Sequence, residues 1–172
     1  MESALESARL GVLAATDPKF AAHVVFYGMA SPQYHDTATE HAPMLFFHGD
    51  ADDLVPVGPA REFAEWIQTQ GNAVTFQTYA GVYYDFDVEG GTDGSVALVE
   101  TGRNCDVLID FSTGQVVRMN HKPVTGVSGL ALIHYMRGCM QHGAQLHPNR
   151  AARADAVEKL HAFLVQSFHL SG

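Results

Sequence analysis

The sequence predicts an α/β protein, in which mainly parallel strands are flanked by helices and followed by a small β-hairpin and two C-terminal helices. Three observations predict this class. Short apolar segments without polar alternation indicate strands that are buried on both faces. A helical segment with Pro near its start and Gly past its end separates two of them. The order strand, loop, helix, strand is typical of a parallel sheet covered by helices.

The first half of the chain supplies the predicted sheet. In order, the pattern predicts a helix at 2–15, a strand at 22–27, a loop at 30–42, a strand at 44–48, a helix at 59–70 and a strand at 73–79. The strands are apolar along their whole length, and the second helix places Phe63, Trp66 and Ile67 at helical spacing. These segments therefore predict a layer of three mainly parallel strands.

The second half of the chain lacks the alternation of apolar strands and helices seen in the first half. Residues 88–104 are rich in Gly and have no clear period, which indicates irregular structure. Two apolar segments flank a Ser-Thr-Gly turn and predict a hairpin over 105–119, apart from the parallel sheet. Two helices are predicted to close the chain, one capped by Ser128 and ending near Gln141, the other capped by Asn149 and ending near Phe168. Val157, Leu160, Leu164 and Phe168 form the apolar stripe expected to dock the last helix.

Composition and charge exclude several kinds of partner. The 172 residues suit one domain, and 47% hydrophobic residues are enough to bury a core. Ten Lys and Arg against nineteen Asp and Glu give a net charge of −9, which disfavours nucleic acids and anionic membranes as partners. No apolar run approaches the roughly 20 residues that cross a bilayer, and no signal-peptide pattern opens the sequence. A cytoplasmic location is the default expectation.

A cluster of three aspartates, Asp50, Asp52 and Asp53, follows the second predicted strand. Open α/β sheets place functional groups at the carboxyl ends of their strands, so a catalytic acid is one interpretation. A cation-binding loop is a second, although the Gly and the distant Glu of a calcium loop are lacking. A solvated turn without chemistry is the third.

The spacing within this cluster resembles the acid-bearing turn of the α/β hydrolases. Gly49, Asp52 and Val55-Pro56 follow the pattern Gly, two residues, Asp, two residues, Val-Pro. In those enzymes the Asp orients a catalytic histidine and stabilises its imidazolium. The resemblance implies that Asp52 occupies the position of the acid.

A turn after the third predicted strand extends the resemblance. Tyr79, Gly81 and Phe86 match the Tyr–Pro–Gly–Ala–x–His–x–Phe turn of the dienelactone hydrolase-like proteins of the α/β-hydrolase superfamily. Tyr84 then occupies the position of the family's histidine. The resemblance implies that residues 1–87 are the C-terminal part of an α/β-hydrolase core. Residues 88–172 would be an extension packed on the same domain.

Two departures from the family pattern bear on activity. The family's nucleophile is a Cys or Ser on a G-x-C/S-x-G-G turn, and the 172 residues contain no such turn. No nucleophile is therefore predicted, and the chain is expected to begin after this elbow. A tyrosine at position 84 cannot serve as the base, since a phenol titrates near pH 10.

The sequence thus predicts a member of a hydrolase family for carboxylic esters or lactones that is truncated and inactive as this chain. If the chain were active, a small ester or lactone would be its substrate. The alternative is a non-catalytic binding or dimerisation module derived from an α/β hydrolase. A second copy of the chain, or a missing N-terminal half, would then complete the sheet.

Neither a cofactor nor a metal ion is predicted. The ten histidines form no H-E-x-x-H motif and no helical pair with an accompanying acid. His48, on the second strand, is interpreted as a hydrogen-bonded core residue.

Cys105 and Cys139 are either thiols or a disulfide between the hairpin and the penultimate helix. Resemblance to family members with cysteines at two similar places favours the disulfide. A bonded pair would imply an oxidising, extracytoplasmic setting instead of the default location.

Overall fold

The structure is a computed structural model that describes residues 19–28 and 32–170. The helix predicted at 2–15 lies outside the described residues. The elements in chain order are β1 (His23–Phe26), β2 (Gln33–His35), β3 (Met44–Gly49), α1 (Val57–Thr69), β4 (Val74–Tyr79), β5 (Gly94–Thr101), β6 (Val107–Asp110), β7 (Gln115–Met119), β8 (Lys122–Pro123), α2 (Gly129–Cys139), β9 (Gln141–Leu146) and α3 (Arg150–Phe168).

The three strands predicted in the first half form a parallel sheet with the order β1-β3-β4. The prediction of an α/β layer of mainly parallel strands is confirmed. Every residue of the central strand β3 is buried, which explains why its sequence is apolar throughout rather than alternating. Because β3 and β4 run in the same direction, the loops that follow them leave the sheet at the same edge.

Helices cover the two faces of this sheet. Met44 and Phe46 of β3 pack with Phe63 and Ile67 of α1 on one face. The alternate residues of β3 pack on the other face against α3, where Ala152 and Ala156 are the buried residues. Side chains that alternate along a strand point to opposite faces, so the one strand supplies both cores.

The contact face of α3 differs from the predicted apolar stripe. Val157 and Phe168 are 57% and 47% exposed, whereas Ala152 and Ala156 are buried and Phe163 packs beside them. Small side chains at the contact let the helix approach the sheet closely. A sequence pattern built on the largest apolar residues does not detect such a contact face. The prediction that α3 docks on the sheet is confirmed; of the predicted stripe, Leu160 packs against this core, whereas Val157 and Phe168 do not.

The predicted hairpin is the β6–β7 pair, and it belongs to a separate sheet with the order β2-β6-β7-β8. Strand β2, in a segment predicted as a loop, pairs in parallel with β6. It has only three residues, Gln-Tyr-His, and its partner lies some 75 positions away, so no local pattern indicates it. This pairing joins the predicted core and the predicted extension in one sheet.

A third sheet was also missed by the sequence pattern. Strand β5 lies in the Gly-rich segment predicted to be irregular, and it pairs antiparallel with β9. The helix predicted to end near Gln141 ends at Cys139, because β9 starts at Gln141. The predicted caps are confirmed, since the side chains of Ser128 and Asn149 each accept a hydrogen bond from a backbone N–H in the first turn of their helices.

Cys105 and Cys139 form a disulfide, with Cα atoms 5.1 Å apart, within the bridging range. The bond ties the segment before β6 to the last residue of α2. None of the described residues of α2 is buried. Besides the disulfide, the hydroxyl of Tyr135 accepts a hydrogen bond of 3.0 Å from the backbone N–H of Asp106. The disulfide is therefore a principal attachment of α2.

No helix among the described residues is long and apolar enough to cross a lipid bilayer.

The ring of His35 makes folding sensitive to pH. It stacks on Trp66 with ring centroids 4.1 Å apart, and burial, together with nearby Arg118, lowers the pKa of His35 from 6.5 to about 4. Between these values the unfolded chain binds the extra proton, so the free energy of unfolding falls as the pH drops from 6.5 towards 4. Between pH 6.5 and 4, we expect the free energy of unfolding of the His35→Phe variant to fall less steeply than that of the unmodified chain. The difference in slope should be up to about 1.4 kcal/mol per pH unit.

Urea unfolding at a series of pH values measures this difference. His161→Phe, on an exposed position of α3, is the matched control and should retain the slope of the unmodified chain. Equal slopes for His35→Phe and the unmodified chain would contradict the assignment.

Candidate functional site

Two loops carry the sequence-predicted site residues. The acid turn, residues 50–56, follows β3 and contains Asp52. The tyrosine turn, residues 80–87, follows β4 and contains Tyr84. Both turns lie at the carboxyl edge of the parallel sheet, where open α/β sheets place their functional groups. The structure therefore brings the two predicted positions to the same region.

Hydrogen bonds join the two turns. The backbone N–H groups of Asp50 and Ala51 donate to the carbonyls of Tyr79 and Val82, at 3.0 and 3.1 Å. The Asp50 carboxylate accepts a bond of 2.6 Å from the N–H of Gly81. Asp50 is thus a structural residue that holds the tyrosine turn against the acid turn.

Gly49, the last residue of β3, permits this close approach. A Cβ atom at this position would lie 2.0 Å from the carbonyl oxygen and 2.6 Å from the carbonyl carbon of Val82. Real Cβ atoms do not come so near to backbone atoms, so any side chain at position 49 must push the tyrosine turn away. The Gly in the sequence motif is therefore explained by packing between the two turns.

Asp52 is buried, with 5% of its surface exposed. Its Oδ1 accepts hydrogen bonds from the N–H groups of Leu54 and Val55, at 3.0 and 2.8 Å. Its Oδ2 has no hydrogen-bond partner among the described residues and lies 3.4 Å from Nε2 of His48. One oxygen thus shapes the turn, and the other is left without a donor.

His48 is a core residue, as its place on a buried strand predicted. Its Nε2 lies 2.7 Å from the carbonyl oxygen of Val55. A carbonyl only accepts hydrogen bonds, so Nε2 carries the hydrogen and donates it. The residue is only 1% exposed, and its ring is therefore closed to any substrate in solution.

Tyr84 is partly buried, with its ring centroid 4.2 Å from that of Tyr27. Burial raises the pKa of Tyr84, and the neighbouring carboxylates of Asp85, Asp52 and Asp87 raise it further. The phenol is therefore protonated at neutral pH. It makes no hydrogen bond to the free oxygen of Asp52, so the acid and the residue in the histidine position are neighbours without a direct bond.

Two further carboxylates, Asp85 and Asp87, accompany Tyr84. The hydroxyl of Tyr27 donates a hydrogen bond of 2.9 Å to Oδ1 of Asp87. Burial raises the pKa of Asp85, as do the charges of Asp87 and Asp52. The sequence pattern assigned no role to Asp85 or Asp87, although the alternation Asp-Phe-Asp around buried Phe86 marks both as side chains on the opposite side of the turn from the core.

The aspartates of the acid turn point to different partners. Oδ1 of Asp53 accepts a bond of 2.8 Å from the N–H of Gln145 in β9, which ties the turn to the extension. Asp50 binds the tyrosine turn, and Asp52 binds its own backbone. Within the part of the chain that the structure describes, no group of three His, Cys, Asp or Glu side chains is arranged to hold a metal ion.

His147, on the connection from β9 to α3, lies beside the tyrosine turn. Its backbone N–H donates to the carbonyl of Tyr84 at 3.3 Å, and its ring contacts that of Tyr83 with centroids 4.8 Å apart. Its Nδ1 is 2.6 Å from a carboxylate oxygen of the exposed Asp93. The extension therefore brings a histidine–carboxylate pair next to the site.

Comparison with known proteins identifies the family of this scaffold. The model of the dienelactone hydrolase family matches residues 8–104, more than half of the chain. The chain belongs to the dienelactone hydrolase family. Both the acid turn and the tyrosine turn lie inside the matched range. A comparison with curated proteins yields no match.

Two solved structures of an esterase from Thermogutta terrifontis resemble parts of the chain. Esterase 2 with bound propionate is 37% identical over 28% of this chain and 18% of its own, with a TM-score of 0.28. The same esterase phosphorylated by paraoxon is 23% identical over 46% of this chain and 38% of its own, with a TM-score of 0.34. The dienelactone hydrolase-family chain thus spans less than half the length of these esterases.

Proposed function

We propose that this chain retains the scaffold and the acid turn of an ester or lactone hydrolase but does not hydrolyse esters as this polypeptide. The observation that carries the proposal is Tyr84, which stands beside Asp52 where the resemblance to the family expects the catalytic histidine. Family membership supports the hydrolase origin. The electrostatics of the site support the loss of the reaction.

The hydrolytic reaction needs a base that takes a proton from the nucleophile near neutral pH. A histidine does so because its pKa lies near 6.5, whereas a free tyrosine titrates near 10. Burial and the carboxylates of Asp85, Asp52 and Asp87 raise the pKa of Tyr84 beyond its ordinary value. A phenol that keeps its proton at pH 7 donates hydrogen bonds and does not activate a nucleophile.

The side chains near Tyr84 supply no evident substitute. His48 donates its Nε2 hydrogen to Val55 and is closed to solvent. His147 has a carboxylate partner, Asp93, but it lies on the extension, and no hydroxyl or thiol in the described part of the chain is bonded to its ring.

A nucleophile is the second requirement of the reaction. Both cysteines of the chain are joined in the disulfide, so neither is a thiolate. No G-x-C/S-x-G-G turn occurs in the 172 residues. These observations support a polypeptide that lacks both an activated nucleophile and a base.

The test is a p-nitrophenyl acetate assay on the purified chain and on its Asp52→Ala, Tyr84→His and His147→Ala variants. We expect all four proteins to release p-nitrophenol no faster than the ester hydrolyses in buffer without protein. Tyr84→His should not restore activity, because a base without a nucleophile has nothing to deprotonate. Turnover by the unmodified chain that disappears in Asp52→Ala or His147→Ala would contradict the proposal and identify the base that is used.

The alternative function, a non-catalytic binding module, is favoured by a polar cleft whose lining includes no residue of the acid turn or the tyrosine turn. That cleft is lined by residues of both the core and the extension.

A further inference from the structure

A second cleft, of about 500 Å³, opens between α2, the sheet that contains β2 and β6, and the β5–β9 pair. Its volume lies within the range of small-molecule sites. No residue of the acid turn or the tyrosine turn lines it. Its lining is mainly apolar, and the apolar side chains come from β2, β6, α2 and the residue directly after α2: Tyr34, Ile109, Leu132, Ile133, Met136 and Met140.

Helix α2 forms one wall of this cleft. Leu132, Met136 and Met140 follow one another at intervals of four residues, with Ile133 beside them, so they share one side of the helix. This side is not packed into a core, because none of the residues of α2 is buried and Ile133 is 49% exposed. An apolar helix face in contact with water is stabilised when a ligand covers it.

The two methionines make this wall adaptable. A methionine side chain is unbranched, has three rotatable bonds and fills irregular gaps, so Met136 and Met140 can adjust to ligands of different length. On the opposite wall, Ile109 presents a second aliphatic side chain. These walls offer apolar contact area, and they favour an aliphatic ligand.

The polar side chains of the cleft lie at its mouth. Glu100, Arg137 and His142 are exposed, whereas the apolar side chains of the lining, apart from Ile133, are partly buried. Oε1 of Glu100 lies 3.5 Å from Nε2 of His142, and Arg137 makes no ion pair with the described residues. One arginine and one glutamate balance, so the mouth favours neither an anion nor a cation. The net charge of −9 on the whole chain further disfavours an anion.

We propose that this cleft binds an uncharged small molecule with an aliphatic chain, such as a medium-chain alcohol. The chain would lie between the α2 face and Ile109, and its polar end would stay hydrated at the mouth. A charged end group would lose part of its hydration there without a net opposite charge to replace it. The proposal goes beyond the proposed function and does not rest on it, since ligand binding and ester hydrolysis are measured separately.

An NMR titration of the full chain, labelled at its methionine methyl groups, tests the ligand chemistry. The probes 1-butanol, 1-hexanol and 1-octanol differ only in chain length, whereas octanoate and octylammonium match 1-octanol in length but carry a charge. We expect the methyl signals of Met136 and Met140 to shift and that of Met44, which is buried in the core, to remain unchanged. The affinity should rise about threefold for each added methylene. 1-Octanol should bind at least about threefold more tightly than either ion. Affinity that does not depend on chain length, or tighter binding of either ion, would overturn the proposal.

Variants assign the contacts. Leu132→Gln and Ile109→Gln place an amide on opposite walls, and each should weaken the binding of 1-octanol about fivefold or more. Neither residue is buried, so both variants should keep the fold. The control is Leu130→Gln, the same substitution in the same helix at a residue that is 80% exposed and outside the lining. Unchanged affinity in either wall variant, or an equal loss in Leu130→Gln, would refute the site.

A second copy of the chain is the other occupant that an apolar helix face could have. Light scattering on the unmodified chain and on Leu132→Gln distinguishes it from a small ligand. We expect the two proteins to have the same mass in solution. A dimer of the unmodified chain that dissociates in Leu132→Gln would overturn the proposal, because protein would then fill the cleft.

Discussion

The Gly49→Ala variant is expected to lose about 3 kcal/mol of unfolding free energy, because a single methyl group would collide with the carbonyl of Val82. The oxygen lies 2.0 Å from the position of the new Cβ, and it belongs to backbone. Backbone cannot rotate aside as a flexible side chain does. Relief requires the tyrosine turn to move away from β3, which would also break the hydrogen bond from Ala51 to Val82.

Urea unfolding of Gly49→Ala and Gly58→Ala measures this effect against a matched substitution. A Cβ at Gly58, in the first turn of α1, meets nothing within 4 Å. Alanine there should be neutral or stabilising by less than about 1 kcal/mol, since it favours the helix over the unfolded chain. Similar stabilities of the two variants would show that the two turns are not packed as closely as described.

Removal of the disulfide is expected to lower the free energy of unfolding by about 4 kcal/mol, through the added entropy of the unfolded chain. The bond closes a loop between cysteines 34 positions apart. In the Cys105→Ala/Cys139→Ala double variant we also expect α2 to lose protection locally. No described residue of this helix is buried, so little else holds it in place.

Hydrogen exchange with mass spectrometry locates the loss, and urea unfolding gives its size. The amides of α2 should exchange faster in the double variant, whereas those of β3 should remain protected below the unfolding transition. A reducing agent should reproduce the effect in the unmodified chain and leave the double variant unchanged, which separates loss of the bond from loss of the sulfur atoms. Unaltered exchange in α2 would mean that Tyr135 and its other contacts suffice.

Much of the candidate site could be predicted from sequence because its signals are local. The acid turn and the tyrosine turn each follow an apolar strand by a few residues, so the position of Asp52 and Tyr84 at one edge of the sheet follows from parallel pairing. What surrounds them could not be predicted in this way. The ring contact between Tyr27 and Tyr84 joins residues 57 positions apart, and no repeating pattern marks either partner.

The sequence by itself determined the parallel sheet, the hairpin and the helix caps, because each depends on residues that are neighbours in the chain. Side-chain burial sets the apolar runs of the strands, and Ser128 and Asn149 bond to N–H groups three residues away. Only the tertiary structure decided the pairing of β2 with β6 and of β5 with β9, and the face of α3 that docks on the sheet. The physical reason is that these contacts are stabilised by partners distant along the chain. Which segments become neighbours then depends on how the whole chain packs, and local secondary-structure propensity does not determine it.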